Sequence, residues 1–124
     1  MSESVRERGT RLIEDVCGVS PQPTTRFVEM TIDHLFAEVW SHGDLSIRDR
    51  RLIVLGVLGA LGDRDNLLLH MGQALERGDL SVAEVQEAVV QIAHYAGWPR
   101  GTVAMQAAGQ AIARRRDTPS EPTR

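Results

Sequence analysis

The chain has 124 residues, of which 42% are hydrophobic and only 4% aromatic, so it suits one domain with an aliphatic core. A net charge of -3, with basic residues scattered until the last dozen positions, argues against a nucleic-acid-binding surface. One cysteine, Cys17, excludes an internal disulfide and fits a reducing compartment. Residues 1–10 are too polar for a signal peptide, and the longest apolar run, residues 52–61, is too short to span a bilayer. We therefore expect a cytoplasmic protein without a membrane or nucleic-acid partner.

Helical signals begin near the N-terminus. A short helix is predicted over residues 5–16, followed by a linker at residues 21–23. A second helix is predicted to start at Thr24 or Thr25 and to end near Trp40. Its apolar residues recur at α-helical spacing, which predicts one buried face. That face comprises Val28, Ile32, Leu35 and Val39.

Caps and glycine stops delimit four further helices. The predicted helices cover residues 47–61, 64–77, 82 to about 96, and about 99 to about 115. The signals include serines that open capping boxes at Ser46 and Ser81, an N-cap at Asp63 and a helix-ending glycine at Gly78. Pro99 is expected at or near the first position of the last helix.

These elements predict an all-α fold, an antiparallel bundle of about six helices, because short loops make neighbouring helices antiparallel. The 82–96 helix has a predicted core face comprising Val82, Val85, Val89, Ile92 and Ala96. In the last helix, small residues leave room for another backbone: Gly101, Ala104, Ala107, Ala108 and Ala111. We expect residues 1–23 to form an N-terminal helix and linker, 24–116 the main helical domain and 117–124 a flexible tail. The amount of apolar surface also favours self-association.

His70 is the first candidate for chemistry, because it follows three leucines in a predicted helix. An imidazole titrates near neutral pH, so His70 can act as a general acid or base, or as an electrostatic anchor at a pocket wall. The alternative is a core histidine held by a backbone carbonyl.

Two further histidines have candidate roles. His34 and Glu38 are four residues apart on one helix, so the carboxylate can orient the imidazole, although an exposed ion pair explains the same spacing. His94 lies near the end of its helix, where it can line a pocket or can cap the last carbonyls.

Three arginines, Arg48, Arg50 and Arg51, crowd the start of the 47–61 helix, where the helix dipole disfavours cations. An inward-facing arginine can hold a substrate carboxylate in a two-pronged fork. The alternative is pairing with nearby carboxylates: Asp44, Asp49, Asp63 or Asp65.

We predict no metal site, because no second helix offers a paired ligand motif. Glycine-rich phosphate loops, a nucleophile elbow and Cys-x-x-Cys are missing from the sequence.

The order of several short segments resembles the carboxymuconolactone decarboxylase family, which belongs to the alkylhydroperoxidase D-like superfamily. The segments are FAEVW at 36–40, LSIRDRRLI at 45–53, ALG at 60–62, LH at 69–70, ALERG at 74–78 and YAGWP at 95–99. The resemblance covers about residues 25–112 and implies an all-helical fold that assembles into homotrimers or homohexamers. The peroxidase branch carries Cys-x-x-Cys, whose cysteines would fall at Asp63 and Asn66, so this chain resembles the branch without thiols. A peroxidase role through Cys17 is a weaker alternative.

The resemblance implies a cofactor-independent loss of carbon dioxide from a small carboxylated lactone in aromatic degradation. In that reading the catalytic residues are His70, Glu38 and His94, and the protein needs no cofactor. The implied substrate-binding residues are Arg48, Arg50, Trp98, Tyr95 and His34. Many relatives are expected to have an apolar residue in place of His94, so the substrate can differ from the lactone that names the family. The alternative is a non-catalytic family member that binds a small molecule or serves as a scaffold.

Overall fold

A computed structural model describes residues 2–117 and confirms the all-α prediction. Over that range it contains six helices and no strand. Five are α-helices: α1 (Val5–Cys17), α3 (Ile47–Leu61), α4 (Arg64–Arg77), α5 (Val82–Ala96) and α6 (Trp98–Asp117). The remaining helix, α2, is α-helical over Arg26–Met30 and continues as a π-helix over Thr31–Trp40. Across residues 2–117, none of the helices has both the length and the apolar character that a membrane crossing requires.

The predicted caps begin the helices as expected. The Ser46 hydroxyl accepts a hydrogen bond from the Asp49 amide at 3.0 Å, and the Asp63 carboxylate accepts one from the Asn66 amide at 3.2 Å. Ser81 forms a full capping box, because its own amide also donates to the Glu84 carboxylate at 2.9 Å. These bonds satisfy amides that the first turn of a helix leaves without an intrahelical acceptor.

The chain divides into two compact units at the Arg50–Arg51 peptide bond, which lies inside α3. In the first unit α1 packs on α2 around a core of Leu12, Ile13, Val16, Ile32, Phe36, Ala37 and Trp40. The helices approach closely at Gly9, where an added Cβ would lie 2.0 Å from the carbonyl oxygen of Ile32. The rings of Phe36 and Trp40 stack with centroids 5.8 Å apart.

The predicted buried face of α2 is wrong at two positions. Leu35 and Val39 are exposed, whereas Phe36 and Ala37 are buried with Ile32. The prediction assumed α-helical winding, but the π-helix joins residue i to residue i+5 and turns more slowly per residue. The buried residues Ile32, Phe36 and Trp40 accordingly lie four residues apart, instead of following the mixed steps of four and three residues on which the prediction relied.

In the second unit α4 and α5 both pack on α6, and Leu55 of α3 joins the same core. The predicted core face of α5 is confirmed, since its five residues are buried or pack against this core. The small residues of α6 are buried, and they admit the close approach of another helix that the sequence predicted. At Gly101 an added Cβ would lie 2.5 Å from the Cβ of Ala93 on α5.

Two glycines of α6 give a matched test of this close approach. We expect Gly101→Ala to lower the free energy of unfolding by about 1–3 kcal/mol, because the added methyl group overpacks the contact with α5. Gly109→Ala should raise it by about 0.5–1 kcal/mol, because nothing lies within 4 Å of its added Cβ and alanine favours a helix. Urea unfolding of both variants measures the difference. Equal effects of the two substitutions would contradict the packing.

Candidate functional site

Arg51, His70 and Asp79 form a polar group in the second unit, which we call the Arg51 cluster. Arg51 precedes Leu55 by one helical turn, and both side chains are buried, so α3 directs the guanidinium into the core. Arg51 Nη1 lies 3.2 Å from His70 Nδ1, and Arg51 Nη2 donates to Asp79 Oδ2 at 3.1 Å. A single guanidinium thus bridges a carboxylate and an imidazole.

Asp79 supplies the negative charge that a buried guanidinium requires. It lies in the loop between α4 and α5, directly after Gly78, which adopts a left-handed conformation with φ of 76° and turns the chain. Asp79 is 15% exposed, against 0% for Arg51, and its Oδ2 also lies 3.5 Å from Arg77 Nε. The pair is therefore buried on the arginine side and close to the surface on the aspartate side.

The geometry determines the tautomer of His70. A guanidinium only donates hydrogen bonds, so Nδ1 of His70 must accept, and the neutral ring carries its proton on Nε2. Burial, and then the charge of Arg51, lowers the pKa of His70 from 6.5 to about 4. The expectation that His70 titrates near neutral pH is therefore wrong. At neutral pH His70 is an uncharged hydrogen-bond donor.

This lowered pKa predicts a pH dependence of stability. The unfolded chain binds a proton at His70 below pH 6.5, whereas the folded protein resists protonation down to about pH 4. The His70 contribution is therefore complete above pH 6.5 and is lost as the pH falls toward 4. At roughly 1.4 kcal/mol per pKa unit this contribution has an upper bound of about 3.5 kcal/mol, and it is smaller because the ring is partly exposed.

Urea unfolding between pH 4.5 and 7.5 measures this contribution when wild type is compared with His70→Gln. The free energy of unfolding of wild type, relative to that of His70→Gln, should fall as the pH is lowered through this range. A difference that stays constant with pH would contradict the burial of a neutral imidazole.

In the first unit the structure brings His34 and Glu38 together. His34 Nδ1 lies 3.1 Å from Glu38 Oε1, and both side chains are at least 60% exposed. The alternative of an exposed i,i+4 pair therefore describes this contact in the isolated chain. The roles of His34 and Glu38 toward a substrate stay predictions.

The two arginines predicted to hold a carboxylate also lie in the first unit. Arg48 Nη1 lies 3.5 Å from Asp49 Oδ1, which is one of the pairings expected from the sequence. Arg50 donates to the backbone carbonyls of His42, at 2.9 Å, and Leu45, at 3.3 Å. Arg50 thus ties down the loop before α3, and its role as a carboxylate ligand stays a prediction.

The structure brings His94 to Trp98 at the junction of α5 and α6. Their ring centroids lie 5.6 Å apart in an edge-to-face arrangement, and His94 Nδ1 donates to the Val90 carbonyl at 2.8 Å. Trp98 lines an apolar groove of about 370 Å³ between α5 and α6. Tyr95 lines a smaller groove of about 260 Å³ between α3 and α5. These positions place two of the predicted substrate-binding residues beside open apolar space.

The sequence-based prediction named Arg51 as one of three candidate arginines but placed only Arg48 and Arg50 in the site, and it missed Asp79 as the partner of the buried arginine. A signal for Arg51 existed, because it shares a four-residue spacing with Leu55 and Gly59, which are buried. Asp79 had no comparable signal, since a loop aspartate after a helix-ending glycine is common. Among residues 2–117 no group of three or more histidine, cysteine, aspartate or glutamate side chains is placed to hold a metal ion.

Two comparisons with known proteins point to one family. The sequence profile of the carboxymuconolactone decarboxylase family matches residues 25–110, a range that contains the whole Arg51 cluster. A protein of Acinetobacter baylyi named 4-carboxymuconolactone decarboxylase is 34% identical over 73 residues. The matched region is 59% of this chain and 54% of that protein, so this chain spans about half the length of the curated relative.

Proposed function

The chain belongs to the carboxymuconolactone decarboxylase family, and we propose that it removes carbon dioxide from a small carboxylated lactone, or a related intermediate of aromatic degradation, without a cofactor. The observation that carries this proposal is the partly buried, neutral imidazole of His70, oriented by Arg51. The named activity of the Acinetobacter baylyi relative supplies the substrate class.

The proposed reaction breaks the carbon–carbon bond to the substrate carboxylate. The electron pair moves through the conjugated double bond onto the lactone carbonyl oxygen, carbon dioxide leaves, and a proton then adds to carbon. The protein must stabilise the growing negative charge on oxygen, hold the carboxylate and supply the proton. Hydrogen-bond donors already aimed at the developing oxyanion lower such a barrier most effectively.

In this proposal His70 serves as the oxyanion donor. Its Nε2–H donates to the lactone oxygen, while Nδ1 faces the Arg51 guanidinium. A pKa near 4 makes the ring a poor general base at neutral pH, so we assign the final proton transfer to another group. His94 and Glu38 are the candidates that follow from the family resemblance.

The remaining substrate contacts are also proposals from that resemblance. Arg48 or Arg50 would hold the carboxylate, and His34, Tyr95 and Trp98 would contact the substrate ring. Arg48→Gln should raise KM if it binds the carboxylate, whereas Glu38→Gln should lower kcat if it assists the proton transfer. The absence of both effects would remove these residues from the site.

We also propose a homotrimer or homohexamer. On α3 three large apolar side chains, Ile53, Val57 and Leu61, are each more than half exposed. Burying such a patch against another copy of the chain would remove it from water. Light scattering after gel filtration measures the assembly, and Val57→Glu should reduce its mass to that of a monomer.

A non-catalytic binding role is the second candidate, and the groove between α5 and α6 favours it. Its volume of about 370 Å³ lies in the range of small-molecule sites, and the lining residues that the structure describes carry no ionisable side chain. A groove of this composition suits an uncharged apolar ligand better than a carboxylated one.

One assay separates the two functions. The purified protein is incubated with 4-carboxymuconolactone in D₂O, and carbon dioxide and product mass are measured. Decarboxylation predicts saturable release of carbon dioxide and one solvent deuteron on product carbon. Thermal stabilisation of the protein by an uncharged apolar ligand, with no release of carbon dioxide from the lactone, would favour binding alone.

A further inference from the structure

The fully buried Arg51 contacts Asp79 and His70 through different nitrogens. Nη2 meets Asp79 and Nη1 meets His70. Because a guanidinium is planar and rigid, anchoring one nitrogen on a carboxylate sets the direction in which the other donates. From this geometry we propose that Arg51 and Asp79 are positioning residues, and that their ion pair holds His70 in a single neutral tautomer with the proton on Nε2.

The electrostatics of the cluster act in the same direction. Arg51 keeps its charge at all accessible pH values, so a proton on the facing Nδ1 of His70 would meet a cation at 3.2 Å. Asp79 balances the guanidinium charge, and Arg77 approaches the same carboxylate oxygen from the surface side. The ion pair therefore disfavours a proton on Nδ1, both in the imidazolium and in the Nδ1–H tautomer.

The consequence for catalysis rests on the proposed function. An imidazole with its proton on Nδ1 would present the Nε2 lone pair to the lactone oxygen and would repel the developing charge. A single tautomer removes that unproductive population before the substrate binds. Loss of the pair should therefore lower kcat more than it changes KM.

The tautomer itself is measurable without any substrate. Long-range proton–nitrogen correlation spectra of nitrogen-15-labelled protein at pH 7 distinguish the two ring nitrogens of each histidine. We expect His70 to show the Nε2–H form. His94 is an internal control with the opposite expectation, because its Nδ1 donates to the Val90 carbonyl at 2.8 Å.

Two variants test the pair. Asp79→Ala removes the anchor of Arg51, and Arg51→Met/Asp79→Asn removes both charges without leaving one of them buried. In each variant we expect the His70 signals to move toward a mixture of both tautomers, whereas the His94 signals stay unchanged. If Asp79→Ala does not fold, the double variant decides the proposal.

A folded double variant in which His70 keeps a pure Nε2–H tautomer would overturn the inference and leave the pair a purely structural role. The outcome is separable from the proposed decarboxylation. If the tautomer responds as expected but wild type releases no carbon dioxide, the positioning stands and the assigned reaction is wrong.

Discussion

Asp79→Ala should lower the free energy of unfolding by about 3–5 kcal/mol, because it removes the carboxylate that faces a guanidinium with 0% exposure. Taking one partner from a buried ion pair leaves a charge in the core, which costs more than the pair itself contributes. Arg51→Met should cost less, since Asp79 is partly exposed and still lies 3.5 Å from Arg77. Urea unfolding at pH 7 measures both variants.

An exposed ion pair of the first unit is the matched control. Arg6 and Asp33 form a two-pronged contact at 2.6 and 2.8 Å, shorter than the Arg51–Asp79 contact, yet both side chains are more than a third exposed. Asp33→Ala should therefore destabilise the protein much less than Asp79→Ala. Similar losses in the two variants would show that burial of Arg51 is not the cause.

The double variant Arg51→Met/Asp79→Asn tests whether an uncompensated buried charge causes the loss of stability in Asp79→Ala. Replacing a whole buried ion pair by groups without charge is often neutral or stabilising. We therefore expect it to recover most of the stability that Asp79→Ala loses. A loss as large as that of the single variant would mean that the pair stabilises the fold beyond charge compensation.

His70→Ala should lower kcat for carbon dioxide release by about 10²–10³-fold, the typical cost of losing one donor to an oxyanion. The effect follows from the proposed function and from the neutral state of the ring, which makes His70 a donor rather than a base. His70→Gln retains an N–H donor in a side chain of similar reach. It should therefore retain more activity than His70→Ala, whereas a general-base role predicts that both variants are equally inactive.

His42→Ala is the control for these kinetics, because His42 is a mostly exposed histidine outside the proposed site. It should keep the wild-type rate, and circular dichroism and gel filtration should show that the His70 variants keep their fold and assembly. Near wild-type turnover by His70→Ala would end the assignment of His70.

Much of the helical architecture was predictable from local chemistry. Ser46, Asp63 and Ser81 begin helices because their side chains hydrogen-bond amides three residues ahead, an interaction within a single turn. The core face of α5 was predictable for a related reason, since α-helical spacing alone brings its valines to one side. The assumption of α-helical spacing failed at Leu35 and Val39, because no local sequence signal indicates that α2 continues as a π-helix.

The candidate site was likewise predictable only in part. His70 was recognisable as a polar residue in an apolar run, and the family resemblance was readable from ordered short segments. The charge state of His70 could not be predicted from the sequence, because its pKa depends on burial and on Arg51, which is 19 residues away in the sequence. The helix limits, the family and the nomination of His70 as a candidate could be read from the amino-acid sequence, because each depends on neighbours along the chain. The contact of Arg51 with Asp79 and the neutral state of His70 became visible in three dimensions alone, because desolvation and through-space charge arise when distant segments pack together.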